Sequence, residues 1–280
     1  MSAHHLVLAA PAKVNLHLEI LSRRPDGFHE LETVFQTLGL ADEVALTLQG
    51  GMDRIELICS DPALPGGEDN LAYRAAAAVA RELPGLGGVR IVLTKRIPHG
   101  AGLGGGSSDA GAVLRALARL IPAVRTLDLP ALALELGSDV PFFLLGGTAH
   151  ARGRGERLQQ LPDAQGGPVT VLMPEAHLPT PRVFAGLTDA ERGPRAARGA
   201  GSWHDSRGWQ DQLINRLSAP ARRLCPQSDA LLRYLEARAV PHLLSGSGAA
   251  CVAFAAIEAP AGVRAYATSF RSRAQLDSLL

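Results

Sequence analysis

The segment "IPHGAGLGGGSSDAGAVLRAL", residues 97–117, sets five glycines among the seven positions 100–106, directly ahead of apolar residues at helical spacing. Upstream, "GVRIVLTK" alternates as a strand does. A strand, a glycine-rich turn and a helix in that order leave the first amide N–H groups of the helix open at the positive end of its dipole. That is an anion site, most naturally for phosphate. A flexible linker would lack such flanks. A Walker A loop needs a lysine before the serine, and none precedes Ser107. Gly100, Gly102 and Gly105 fit the spacing of a dinucleotide fingerprint, with Asp128 at the distance of a ribose-binding acid. However, Pro98 and His99 lengthen the turn, and "PAVRTLDLPA" offers no second buried strand ending at Asp128.

A chain of 280 residues, 46% of them hydrophobic, is long enough for one large domain or two ordinary ones with a sizeable core. A net charge of +1 with mixed signs gives no basis for a nucleic-acid or membrane partner, so the expected partner is a small molecule. Cys59, Cys225 and Cys251 form no C-x-x-C pair, which argues against a disulfide framework or a thiolate zinc site and fits a cytoplasmic protein. The apolar start "LVLAAPAKV" is broken at Pro11 and Lys13, too soon for a signal peptide, and no stretch sustains the ~18 apolar residues of a membrane span.

Strands and helices intermix, so the expected class is α+β. "AKVNLHLEIL" reads as a half-buried strand, with Val14, Leu16, Leu18 and Ile20 inward and Lys13, Asn15, His17 and Glu19 outward. "EVALTLQG" and "RIELICS" read as strands, and residues 70–86 as a helix stopped by Pro84 and Gly85. After Gly147 the pattern weakens to a strand at 168–174, a helix at 229–240 and a strand at 250–257, which places a domain change near residue 150. The Gly- and Arg-rich stretch 191–208 reads as a mobile surface loop with solvent-facing arginines. In "LGSDVPFF", Gly137 stops a helix, and Asp139 either caps the next one or carries chemistry. Ser245 to Gly248 form a small-residue turn, either a second anion site or a corner.

Five blocks in this order, "PAKVNLHLEIL", "RRPDGFHELETVFQTL", "PHGAGLGGGSSDA", "LGSDVPFF" and "SGSGAACVAF", resemble the GHMP kinases over most of the chain, fading across 185–225. "DGFHE" just after the lysine-bearing strand is similar to those members that act on a cytidine-diphosphate-linked methylerythritol. The resemblance implies an N-terminal ribosomal-S5-domain-2-like nucleotide-binding domain at 1–150 and a C-terminal ferredoxin-like domain at 151–280, with the site between them. It also implies transfer of the γ-phosphoryl of ATP to the 2-hydroxyl of that acceptor, in the non-mevalonate route to isoprenoid precursors, with Mg²⁺ carried mainly by ATP.

Carried over residue by residue, Asp139 matches the catalytic aspartate and Lys13 its partner lysine. Pro98, His99, Gly100, Ala101, Gly102, Leu103, Gly104, Gly105, Gly106, Ser107 and Ser108 would cradle the ATP phosphates, the two serine hydroxyls adding donors. Asn70 and Lys95 would lie by the adenosine, and Asp109 would either cap and point away or meet the phosphates through Mg²⁺. For the acceptor, the matches are Asn15, Phe28, His29, Thr180, Pro181, Phe184, Ser245, Gly246 and Ser247. Phe28 and Phe184 would sandwich the cytosine and His29 read its edge. Phe28 replaces the family's usual tyrosine, which keeps a stacking face and loses a phenolic hydrogen bond.

Overall fold

The computed structural model describes residues 5–50, 54–193 and 209–277. Apolar alternation runs further than the sequence pattern suggests. Strands β1 (His5–Arg23) and β2 (His29–Gln49) pair antiparallel along almost their whole length. Their connection is a tight turn in which Gly27 adopts φ +86°, the amide of Arg24 donates to the carbonyl of Phe28 at 2.8 Å, and Asp26 Oδ1 accepts from the Phe28 amide. This turn lifts Phe28 out of the sheet. Irregularities of register near Lys13, Asn15 and Ile20 re-aim the side chains of β1.

The first sheet is completed by β3 (Ile55–Cys59), β4 (Gly88–Thr94), β5 (Thr148–Gly153), β6 (Arg157–Gln160) and β8 (Ile214–Asn215). Its order is β3-β4-β2-β1-β8, with β5 joined to β2 and β6 to β5. Helices α1 (Leu71–Glu82), α2 (Gly105–Leu120) and α3 (Leu129–Leu136) cover one face, burying Ala75, Ala76, Val79, Val113, Leu114 and Leu117 against Leu8, Val44, Leu46, Ile91 and Leu93. The short α4 (Phe142–Leu145) follows. The domain change expected near residue 150 falls inside β5, which pairs with β2, so the sheet changes only after β6.

The second sheet is antiparallel in the order β11-β7-β10-β9, made of β7 (Pro168–Met173), β9 (His242–Leu244), β10 (Cys251–Ala253) and β11 (Arg264–Ser269). Helices α5 (Thr180–Ala185), α6 (Ser218–Leu224) and α7 (Pro226–Glu236) lie between β7 and β9, and α8 (Arg273–Asp277) closes the described chain. The expected strand 250–257 is only three residues long, and α7 starts earlier than expected, with Pro226 at its first position. The loop expected at 191–208 lies mostly outside the described residues.

β1 is buried on both faces rather than one. Val14 and Leu16 pack with Val169, Val171, Val252 and Phe270 of the second sheet region, yet Lys13, Asn15, His17 and Glu19 are also buried. The polar row is covered by the glycine turns and by residues 209–216: His17 Nδ1 lies 3.1 Å from the Gln212 carbonyl, and Arg216 donates to both oxygens of Glu19. Solvent alone would not have needed those partners.

Two glycine-rich turns meet backbone to backbone. Gly102 sits at φ +78°, and a Cβ there would lie 1.9 Å from the Ser245 carbonyl oxygen. A Cβ at Gly106 would touch only the end of Leu71, at 3.6 Å. We expect Gly102→Ala to cost at least ~2 kcal/mol, from the left-handed backbone plus the clash, and Gly106→Ala much less. Thermal melts of the two variants check this, and equal melting temperatures would contradict it.

Candidate active site

Gly104 is the N-cap of α2, in the left-handed conformation. The first helical hydrogen bond runs from the Ser108 amide to the Gly104 carbonyl at 2.8 Å, so the amides of Gly105, Gly106 and Ser107 precede the helix ladder. They are open donors at the start of α2. Ser108 is not one of them: fully buried, it donates its hydroxyl to the Pro11 carbonyl at 2.7 Å, anchoring the helix on β1. Ala101 and Leu103 put their side chains into the core, and the Leu103 carbonyl accepts the Lys13 amide at 2.9 Å. Their part in the turn is to fix its backbone.

Beside the turn lies a cleft of about 810 Å³, into which Gly102 and Gly104 open. Lys13 and Asp139 face each other there, Nζ to Oδ2 at 3.4 Å. Asp139 does not cap the next helix, whose N-cap is Pro141 with no side-chain bond. Its carboxylate is instead a third exposed, while Lys13 is only 5% exposed as a residue. Lys13 Nζ also donates to Asn15 Oδ1 at 2.8 Å, Asn15 Nδ2 to Thr33 Oγ1, and Thr33 to the His17 carbonyl. This chain of hydrogen bonds fixes the ammonium, which rests 5.3 Å from the centre of the Phe35 ring.

At the far end stand the aromatic residues. Phe28 is 48% exposed and carries the Arg154 guanidinium 4.3 Å above its ring. His29 stacks directly on Phe184, ring centres 4.9 Å apart. A base between two rings needs about 7 Å, so in this state that pair forms a single wall. Burial, followed by the charges of Arg192 and Arg23, pushes the His29 pKa down, which favours a neutral ring able to donate and accept. Asn15, Thr180, Pro181, Gly246 and Ser247 line the cleft, and the Thr180 and Ser247 hydroxyls are 2.7 Å apart. Ser245 does not: it is wholly buried beneath the turn, pressed against Gly102.

The GHMP kinases N terminal domain family model matches residues 70–147, the segment holding the glycine turn and Asp139. The 4-diphosphocytidyl-2-C-methyl-D-erythritol kinase of Thermus thermophilus is 44% identical over 270 residues, 94% of this chain and 92% of that one. The chain belongs to the 4-diphosphocytidyl-2-C-methyl-D-erythritol kinase family. A crystal structure of 4-(cytidine 5'-diphospho)-2C-methyl-D-erythritol kinase superposes with a TM-score of 0.80 at 41% identity, covering 95% of this chain and 99% of that one. A homoserine kinase from Cytophaga hutchinsonii, at 19% identity and a TM-score of 0.66 over 97% and 95% of the two chains, shares the α+β GHMP kinase fold.

The residues matched to adenosine have internal partners. Asn70 caps α1, accepting from the Ala72 amide at 2.9 Å and donating to the Pro65 carbonyl. Lys95 is bound between Asp42 and Asp109, at 2.5 Å from the latter. Asp42 also accepts the Arg96 and Ile97 amides, so the three residues tie β2, the start of the glycine turn and α2 together. Asp42 lies in an ordinary strand sequence and gave no sign of this. Nor did Asn215, which donates to the Leu244 and Gly246 carbonyls and so hangs the second glycine turn from β8. Arg23, Arg154 and Arg192 also line the cleft unforeseen.

Burial pushes the Asp109 carboxyl up to about 7 against the pull of Lys95, with Asp42 adding to the rise. The folded chain therefore holds this proton more tightly than the unfolded chain, whose group titrates near 3.8. The stabilisation is complete below that value and is lost as pH rises through about 7. In Asp109→Asn the titration is gone, so its melting temperature should gain on that of the wild type from about pH 5 to about pH 8. A difference independent of pH would contradict this.

Proposed function

We propose that this chain phosphorylates the 2-hydroxyl of 4-diphosphocytidyl-2-C-methyl-D-erythritol with ATP, a step in making isoprenoid precursors. One observation carries the reading: a single cleft brings Gly102 and Gly104 of the glycine turn, the Lys13–Asp139 pair and the Phe28, His29 and Phe184 rings together. Among the described residues its charged lining is Lys13, Arg23, Arg154 and Arg192 against Asp139, with Asp189 pairing Arg192, a net positive field suited to polyphosphate ligands.

In this reading the ATP phosphates lie on the amides of Gly105, Gly106 and Ser107, and the nucleotide end of the acceptor meets Phe28, His29 and Phe184. The acceptor hydroxyl then falls at Asp139. Asp139 takes the hydroxyl proton, the oxygen attacks the γ-phosphorus, and the bond to the β-phosphate oxygen breaks to release ADP. Lys13 offsets the negative charge that grows on the phosphoryl oxygens. Asp139 is engaged by Lys13 and Asp109 by Lys95, so Mg²⁺ fits this site as a companion of ATP, where it neutralises phosphate charge.

The domains are assigned as an N-terminal ribosomal-S5-domain-2-like part and a C-terminal ferredoxin-like part, with the boundary moved from residue 150 to beyond β6. The antiparallel sheet β11-β7-β10-β9, with helices between β7 and β9, supports the second, although no helix joins β10 to β11. Cys59, Cys225 and Cys251 are unbridged, as a reducing cytoplasm would keep them.

The test is coupled ADP release with this acceptor, homoserine and mevalonate. Only the first should turn over. Asp139→Asn should lose about 10²- to 10⁴-fold in kcat while binding ATP as before. Turnover of the other alcohols, or an unchanged kcat in the variant, would refute the assignment.

A further inference from the structure

Arg154 occupies the three-residue tip between β5 and β6, flanked by Gly153 and Gly155, both at positive φ. Its amide is held by Glu156 Oε2 at 2.6 Å. Because Gly153 pairs with Leu31 at the start of β2, the tip lies next to the turn that presents Phe28. The guanidinium lies over the Phe28 ring and lines the cleft.

Among the described residues its guanidinium has no ion-pair partner. Lys13 faces Asp139 and Arg192 is paired with Asp189 at 2.7 Å, but no carboxylate pairs with Arg154 among the described residues. Asp26, near enough for its charge to be felt, is already bound by Arg24 and by the Phe28 amide. A half-buried guanidinium with an open fork of N–H donors, set at the edge of a stacking platform, is half of an ion pair whose other half comes with the ligand.

We propose that Arg154 is a specificity-determining residue of the acceptor site: its plane holds Phe28 in place as a base platform, and its N–H fork binds the diphosphate joined to that base. This rests on the acceptor reading above. The arrangement makes the site select a nucleoside diphosphate over the bare nucleoside, because a ligand lacking phosphates leaves the guanidinium unpaired. Stacking on Arg154 also gives the Phe28 ring, which has no hydroxyl to fix it, a contact on one face.

The test is calorimetric binding of CDP and of cytidine, with the ATP site filled by a non-hydrolysable analogue, to the wild type, Arg154→Met, Arg154→Lys and Arg157→Met. Arg157 is on the same hairpin, exposed and outside the cleft, and controls for loss of a surface charge. Arg154→Met should weaken CDP by about 10- to 100-fold and cytidine by only a few-fold. Arg154→Lys should recover part of the CDP affinity, and Arg157→Met should change neither. An unchanged ratio of CDP to cytidine affinity in Arg154→Met, with the wild type preferring CDP, would overturn the proposal alone. A wild type that does not bind CDP would overturn the acceptor reading with it.

Discussion

The site depends on the contact between two glycine-rich turns, made at glycines that have no side chain. Gly102 lies against the Ser245 carbonyl and the Gly248 amide, and a Cβ on Gly248 would in turn come within 2.2 Å of the Gly102 nitrogen. Backbones approach this closely where a glycine leaves out the Cβ that would otherwise fill the gap. The first turn starts a helix on the first sheet and the second joins β9 to β10 on the other, so their contact fixes one sheet's glycine turn against the other sheet. Without it, Gly102 and Gly104 of the first turn and Thr180 and Ser247 would not line a common cleft. The glycines of these turns thus hold the two sheets together.

Charge is distributed on the same principle. Charged side chains sealed within the fold are balanced there: Lys95 by Asp42 and Asp109, and Glu19 by Arg216. Among the described residues, those lining the cleft are balanced incompletely: Lys13 faces Asp139 and Arg192 pairs with Asp189, while Arg23 and Arg154 line it without a carboxylate in an ion pair. Burying an ion without a partner is expensive, so surplus cations survive where an anionic ligand or water completes them. Asp139, a third exposed, is the carboxylate among the described residues that lines the cleft.

Much of this was legible in the sequence because it is local. Glycines between a strand pattern and a helix pattern specify open amides, and the order of the five motif blocks placed Lys13 and Asp139 before their 3.4 Å approach was visible. What stayed hidden depends on distant packing. Alternation along β1 suggested one wet face, yet that face is covered by residues 209–216 and by two turns far away in the chain. Ser108 looks like a phosphate donor in any reading of "GGSSD", but helical rotation turns it towards Pro11. Lys95 and Asn70 have polar side chains whose partners, Asp42 and Asp109 or the α1 terminus, are set by register and capping. The short strands β5, β6, β9 and β11 have too few alternating residues to stand out, and β11 is largely exposed.

The central claim is that Lys13 and Asp139 stand where the γ-phosphoryl of ATP meets the 2-hydroxyl of the acceptor. Phosphorus NMR of the product formed from Mg-ATP and 4-diphosphocytidyl-2-C-methyl-D-erythritol tests it most directly. One new phosphomonoester, coupled to the methylerythritol and located at its 2-oxygen, should appear in step with ADP. ADP without that phosphomonoester, or a phosphate on another oxygen, would contradict it.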